Sequence, residues 1–140
     1  MDIVPIIARI QSQCPLLRSV GGAAEFTDAS LALKHQLPAA FVLPLSDDPQ
    51  PNRLDNGISQ RVNRRFGVVL AVKNLRDASG AAALSDLVPL RSQLIDALLG
   101  WVPDGLTDPC EYAAGRLLEL SQQVLWWQDD FLTAFYLRKV

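Results

Sequence analysis

One run of residues, from 60 to 73, limits the fold more than any other part of the sequence, because its side chains alternate with a period of two. Phe66, Val68, Leu70 and Val72 would lie on one face of an extended chain, and the residues between them on the other. At about 3.3 Å per residue the run would extend for roughly 45 Å. The pattern therefore predicts a single long β-strand over residues 60–73.

The other strand patterns lie on both sides of this run. They cover residues 16–20, 39–45, 112–120, 123–127 and 130–138. Short polar segments join the last three, which predicts an antiparallel meander in which the adjacent Trp126 and Trp127 face opposite sides of the sheet. Grouped strands with helices at separate places favour an α+β fold over a doubly wound parallel sheet. We therefore expect one mixed, mainly antiparallel β-sheet flanked by α-helices.

Two helices are predicted before the long strand. Isoleucines near the N-terminus recur at helical spacing and predict an amphipathic helix that ends before Pro15. A second, short helix is expected over residues 28–36, with Thr27 or Asp28 as its N-cap.

A third helix is predicted over residues 85–99. Ser85 is the expected N-cap, Pro89 would lie within the first turn, and Gly100 would end the helix. Its expected core stripe consists of Leu87, Leu90, Leu94, Ile95 and Leu98.

The composition suits one globular domain that spans residues 1–140, because 49% of the 140 residues are hydrophobic and 20% are charged. A formal net charge of -2 gives no general attraction to nucleic acid or to an anionic membrane. No apolar run approaches the roughly 20 residues that cross a bilayer. Asp2 stands where a signal peptide has a basic residue, so we expect a cytoplasmic protein. For Cys14 and Cys110 we expect two buried free thiols rather than a disulfide.

Residues 46–59 form a polar segment that we expect to be a long loop. Asp47 and Asp48 begin it, and Pro49, Pro51 and Gly57 favour turns over a strand ladder. Such a loop could serve as a lid over an active site, as an arm that contacts a partner, or as an ordinary solvated connection.

The residue types that carry catalysis are sparse. His35 is the single histidine, and it has neither an orienting partner nor a nucleophile in its motif. No spacing of zinc, calcium or phosphate-binding motifs is present. We interpret Asp129 and Asp130 as a polar turn between two strands. The sequence therefore predicts no catalytic residue, no cofactor and no metal site.

An arginine cluster lies at the end of the loop and the start of the long strand. It could be a charged strand end that discourages edge-to-edge pairing. It could equally be a surface that docks against an acidic partner or a neighbouring subunit. Nucleic-acid binding is the weaker third choice, because aromatic residues are not interleaved. The candidate interaction residues, with the two aspartates that begin the loop, are Arg53, Arg61, Arg64, Arg65, Asp47 and Asp48.

Several segments follow one another in a recognisable order. Cys14 and Pro15 come after the first helix, PAAFVLP at residues 38–44 covers most of the strand predicted over 39–45, and an asparagine-rich loop precedes the long strand. LLGWVP ends the last helix, and YAAGRLLEL and WWQDDFLTAFYLRK close the chain. In this order the segments resemble the tail terminator proteins of tailed bacteriophages and prophages, also described as minor tail or tail-completion proteins.

The resemblance implies an α+β subunit that assembles as a homo-oligomer, a six-membered ring, on the upper end of a completed tail tube. The ring would stop tube polymerisation and present a surface to the head, so the implied partners are the tail-tube protein and a head-tail connector protein. Assembly would take place in the host cytoplasm and end in the virion tail. The loop at 46–59 is then an interaction arm rather than a lid.

Other assignments stay open at this point. The chain could be another head-tail connector or minor tail protein. It could be an α+β domain that binds a small molecule, or acts as an enzyme, through residues scattered in the sequence. It could also be a regulatory adaptor that uses the arginine-rich loop.

Overall fold

Strands from the middle and the end of the chain meet in one sheet. The structure, a computed structural model, describes residues 1–32, 36–74, 80–121 and 123–139, without the side chains of residues 29–32. The strands are β1 (Ser19–Gly21), β2 (Ala39–Pro49), β3 (Ile58–Lys73), β4 (Glu111–Leu120) and β5 (Val124–Lys139). The helices are α1 (Val4–Gln13), α2 (Ala23–Ala32) and α3 (Ala81–Leu98).

The five strands lie in the order β1-β2-β3-β5-β4. β1 pairs parallel with β2, and every other neighbouring pair is antiparallel. With its three helices this is an α+β domain built on a mixed, mainly antiparallel sheet. The predicted fold class is confirmed.

β3 is the long strand that the alternation predicts, and it begins two residues earlier than expected, at Ile58. It pairs with β5 along its whole length, from Ile58 opposite Lys139 to Lys73 opposite Val124. Every residue from 66 to 72 is buried, because both faces of this half of the sheet are covered. β3 is therefore the central strand of the fold.

The prediction of three C-terminal strands is wrong, because residues 124–139 form the single strand β5. Asp129 and Asp130 are not a polar turn. They lie in the middle of β5, opposite Val68 and Gly67, with relative exposures of 0% and 1%. Arginine side chains compensate both carboxylates, so a pair of acidic residues that usually marks a turn is accommodated inside a buried strand.

The predicted loop at 46–59 is also shorter than expected. β2 continues to Pro49 and pairs with β3 as far as Val62, so only residues 50–57 connect the two strands. The prolines are tolerated because β1 pairs only with residues 39–41, so that no strand of the described part of the chain pairs with the outer edge of β2 after Phe41. An irregularity between Pro44 and Ser46 further interrupts the ladder.

The helices confirm the predicted segments but correct two of their starts. α1 ends at Gln13, with Cys14 as its C-cap, and therefore before Pro15 as expected. α2 begins at Ala23 rather than near Thr27 or Asp28, because the Glu25 carboxylate accepts a hydrogen bond from the Gly22 backbone N–H at 2.9 Å and satisfies the start of the helix. The predicted end at residue 36 is also wrong, since α2 is described to Ala32 and residue 36 lies in a turn. Residues 33–35, with His35, lie outside the described residues.

α3 begins four residues earlier than predicted, at Ala81. Its N-cap is Gly80, which has a φ of 73° in the left-handed region. Ser85 and Pro89 therefore lie inside the helix, and the prediction of Ser85 as N-cap is wrong. The predicted core stripe is confirmed. Ile95 is partly buried, and the four leucines are buried: Leu87, Leu90, Leu94 and Leu98.

Each face of the sheet packs against a different helix layer. On one face, here called the α3 side, α1 and α3 cover Phe66, Leu70 and Phe131. On the other, the α2 side, Phe26 of α2 packs with Phe41 and Trp126. Trp126 and Trp127 do face opposite sides, since Trp127 packs against the α3-side core.

The two cysteines are buried free thiols, as expected. Both belong to the core on the α3 side. Burial raises the pKa of the Cys14 thiol and raises the pKa of Cys110 to about 12.

Exposure divides the sheet into a covered half and an uncovered half. In β3, residues 58–65 are exposed or half-buried apart from Val62, whereas residues 66–72 are buried. In β2 the buried residues are 39–42, and residues 44–49 are exposed. We call the uncovered half, with the turn that joins β2 to β3, the β-arm, and it consists of residues 46–65 and 135–139. None of the helices in the described part of the chain has the length and apolar character needed to span a bilayer.

Candidate interaction surface

The α2 side of the β-arm carries a shallow cleft of about 420 Å³. Strands β2, β3, β5 and the start of β4, together with the segment before β4, supply its polar lining. Because side chains alternate along each strand, the lining residues of β2 and β3 are every second residue. The residues used below, called the cleft, are Asp48, Arg61, Arg65, Asp108, Glu111 and Leu132.

Arg61 is held across the sheet by three partners. Its guanidinium donates to the Asp108 carboxylate, to Asn63 Oδ1 at 3.0 Å and to the Tyr136 hydroxyl at 3.4 Å. The hydrogen bond to Asp108, followed by the one to Tyr136, raises the pKa of Arg61 above its usual value. The segment with Asp108 is itself attached to β5, where the Thr133 hydroxyl donates to the Asp108 carbonyl at 2.7 Å. Arg61 therefore fastens that segment to the arm.

Arg65 binds the buried carboxylate of Asp130. Its Nε and Nη2 lie 3.1 and 2.8 Å from Asp130 Oδ2, and Arg116 of β4 reaches the same oxygen at 3.1 Å. The other oxygen, Oδ1, accepts a hydrogen bond from Gln128 Nε2 at 2.7 Å. A Cβ atom at Gly67 would lie 2.9 Å from Gln128 Nε2 and 3.1 Å from Asp130 Oδ1, so glycine leaves the space for this network.

The ionisation of Asp130 results from two opposed effects. Burial by itself would raise the pKa of this carboxyl group. The hydrogen bonds from Gln128, Arg65 and Arg116 outweigh burial and lower the pKa of Asp130 below its usual value. The carboxylate therefore stays charged at neutral pH and binds three strands together.

Arg64 and Asp47 pair on the opposite face of the arm. Nε and Nη2 of Arg64 donate to the two oxygens of Asp47 at 2.7 Å each, which is a bidentate geometry. The guanidinium also lies 4.3 Å from the ring centroid of Phe135. The hydrogen bond from Arg64 lowers the pKa of Asp47 and raises the pKa of Arg64.

The connection between β2 and β3 is braced by one side chain. Asn52 donates to the carbonyls of Leu54 and Gly57 at 3.3 and 2.9 Å, and its Oδ1 accepts from the N–H groups of Leu54 and Ser59 at 3.2 and 2.9 Å. Arg53 lies exposed within this connection. Its side chain is therefore exposed to solvent on a turn that Asn52 braces by hydrogen bonds.

The structure thus separates the six candidate interaction residues into three places. Asp48, Arg61 and Arg65 meet in the cleft on the α2 side. Asp47 and Arg64 pair on the α3 side, and Arg53 lies in the turn. Three of the four arginines bind carboxylates of their own chain, so their first role is to fix the arm.

Sequence reasoning missed the two acidic residues at the centre of these networks. Asp129 faces the α3 side, where Oδ1 accepts from the Tyr112 hydroxyl at 3.0 Å and from Trp127 Nε1 at 2.9 Å. Arg91 of α3 donates to both of its oxygens and stacks 4.7 Å from the Trp127 ring. The sequence carries no clear signal for them, because neither face of residues 124–139 is consistently apolar and the partner arginines are distant in sequence.

Within the described residues, no group of three or more histidine, cysteine or acidic side chains is arranged to hold a metal ion. The networks instead give a set of charged side chains in fixed positions on an open sheet face. Such a surface can recognise a partner through charge and shape.

Comparison with known proteins agrees with a role in assembly. The family model described as phage tail terminator protein matches residues 1–139. No curated protein sequence matches the chain. The members of this family are structural proteins of bacteriophage tails. Because the match covers the whole domain, the chain belongs to the phage tail terminator family.

Proposed function

We propose that this protein caps the upper end of the phage tail tube, ends tube polymerisation and forms the surface that joins the head. It does so as a ring of six copies. The observation that carries the proposal is the family match over residues 1–139. The partners are further copies of the chain, the tail-tube protein and a head-tail connector protein. Assembly takes place in the host cytoplasm, and the ring remains in the virion tail.

The β-arm supports the proposal because it combines the features of an assembly interface. Exposed apolar side chains lie at its end, where Leu54, Ile58 and Leu137 have relative exposures of 55%, 42% and 50%. Ion pairs hold the strands beside them. Apolar residues together with arginine are enriched at protein interfaces, and a rigid surface loses little conformational entropy when it binds.

Within the arm, the candidate residues have two roles. Arg61, Arg64, Arg65 and Asp47 keep the strands in register through contacts inside the subunit. Arg53 and Asp48 are exposed and contact the neighbouring molecules directly. The arginine cluster suggested an acidic partner, but three of its four arginines already form ion pairs with carboxylates of the same subunit.

Electron microscopy of the purified protein, with sedimentation velocity, tests the ring. The expected result is six-fold class averages and a species of six times the subunit mass. A protein that stays monomeric at all concentrations, both alone and with tail-tube subunits, would contradict the proposal. If it binds connector subunits and leaves tail-tube subunits free, it is instead another head-tail connector protein.

A further inference from the structure

We propose that the ring closes through a head-to-tail contact in which the basic end of one β-arm docks into the cleft of the next subunit. This inference rests on the proposed ring and names the two surfaces that meet in it. The occupant of the cleft is therefore a second copy of this chain.

The end of the arm, here called the arm tip, consists of residues 50–58 and 137–139. It carries the basic residues Arg53, Arg138 and Lys139, all exposed, against one acidic residue, Asp55. The same tip contains the exposed apolar residues of the arm described above. The tip is thus both positively charged and apolar, which is a combination that favours docking onto a partly acidic, partly apolar surface.

The cleft has the opposite charge. Its lining includes two arginines and three carboxylates. Arg61 forms an ion pair with Asp108, and Arg65 forms one with the buried Asp130. Asp48 and Glu111 are exposed and make no ion pair with any residue that the structure describes. Leu132 of β5 adds an apolar side chain to the lining. The cleft therefore offers two carboxylates and an apolar contact to a cationic group.

Within one subunit the basic residues of the tip leave the cleft carboxylates without a cation. Among the described residues, none of the three basic tip residues makes an ion pair with Asp48 or Glu111. The tip residue Gln50 does reach Asp48, with Nε2 3.2 Å from Oδ2, but this contact brings no positive charge. The two oppositely charged patches can therefore pair between subunits. Contact between two different patches is the heterologous type, which closes into a ring when the rotation between subunits fits.

Charge reversal on each side tests the contact. The tip variant is Arg138→Glu with Lys139→Glu, and the cleft variant is Asp48→Lys with Glu111→Lys. The controls reverse exposed charges elsewhere: Lys73→Glu, at the far end of β3, and Asp96→Lys with Asp104→Lys. Sedimentation velocity gives the concentration for half-assembly, and the thermal midpoint shows that each variant is folded.

We expect the tip variant and the cleft variant each to raise the half-assembly concentration by about tenfold or more, because each places like charges across the contact. The controls should assemble like the parent. A chain that carries both sets of reversals should regain assembly to within about threefold of the parent, since the charges are complementary again.

Assembly of the tip or cleft variant at the parent's concentration would overturn the contact, and so would a combined variant that stays as weak as the singles. In either case a parent that still forms rings leaves the proposed function standing. A parent without rings, alone and with tail-tube subunits, would contradict the ring and this contact together.

Discussion

At the scale of single residues, two adjacent aspartates organise the sheet. Neighbours on a strand point to opposite faces, so Asp129 binds Arg91 of α3 on one side and Asp130 binds Arg65 and Arg116 on the other. Each carboxylate is almost fully buried, and each is satisfied by several donors. A buried charge is tolerated only when such partners are present. The pair therefore joins α3, β3 and β4 to the middle of β5.

Replacing Asp130 by asparagine removes this charge while keeping the shape. If Asp130 lay in an exposed turn, the substitution would leave the free energy of unfolding nearly unchanged. In the buried site we expect the free energy of unfolding to fall by about 2 kcal/mol, a value reduced because both arginines are partly exposed and can be hydrated. Urea denaturation measures it. Asp104→Asn, at an exposed position, is the control, and an equal effect of both substitutions would count against the network.

The pH dependence of stability follows from the same residues. The pKa values of Asp130 and Asp47 are lower in the folded protein than usual. Their contribution is therefore fully present above the unfolded pKa of about 3.9 and is lost as the pH falls through the lower folded pKa. We expect the free energy of unfolding to drop below about pH 4, and to drop less in Asp130→Asn. The same acid sensitivity in both proteins, measured by urea denaturation at several pH values, would exclude Asp130 as its source.

At the scale of elements, the sequence predicted those parts whose burial follows simple periodicity. The 60–73 strand and the leucine stripe of α3 were found because apolar residues recur there at a fixed spacing. The far half of β2 was missed because prolines on an unpaired edge look like a loop. β5 was divided in two because its buried acids are compensated by residues distant in sequence, such as Arg65 and Arg91. Neither cause can be seen without the tertiary pairing.

The attachment of α3 to the sheet can be tested at one leucine. Leu94 is fully buried between the helix and the α3 side of the sheet. Leu94→Ala should lower the free energy of unfolding by about 2 to 5 kcal/mol, through lost burial and the cavity left behind. Chemical denaturation checks it, with the exposed Val88→Ala as the control. A cost below about 1 kcal/mol would mean that α3 packs less closely than the structure shows.

The turn at the end of the arm should be needed for assembly and not for folding. Removing residues 46–59 altogether would destroy strand pairs and the Asp47–Arg64 ion pair, so a narrower change is required. We expect replacement of residues 51–56 by Asn-Gly, which leaves four residues between Pro49 and Ile58, to change the free energy of unfolding by less than about 1 kcal/mol. Ring formation should be lost.

Chemical denaturation measures the effect of this replacement on folding, and electron microscopy measures its effect on ring formation. Single substitutions in the turn, such as Leu54→Ala, serve as a milder comparison. If the shortened protein still assembles as the parent does, the turn is only a connection between β2 and β3.

At the scale of the whole molecule, the chain is a sheet with one half covered by helices and the other half open. The covered half carries the core, and the open half carries the charged and apolar side chains that a partner can reach. The family and the absence of motif-based chemistry were both inferred from the sequence, and the family match supports the first directly. The surface itself was not predictable, because its residues come from β2, β3, β4, β5 and the segment before β4.

Growth of tail tubes in the presence of the protein tests the central claim most directly. Purified tail-tube subunits are polymerised with increasing amounts of this chain, and tube length and tube ends are measured by electron microscopy. The account predicts a six-fold ring at one end of each tube and no further elongation from that end. Tubes that elongate equally from both ends, without added density at either end, would contradict it.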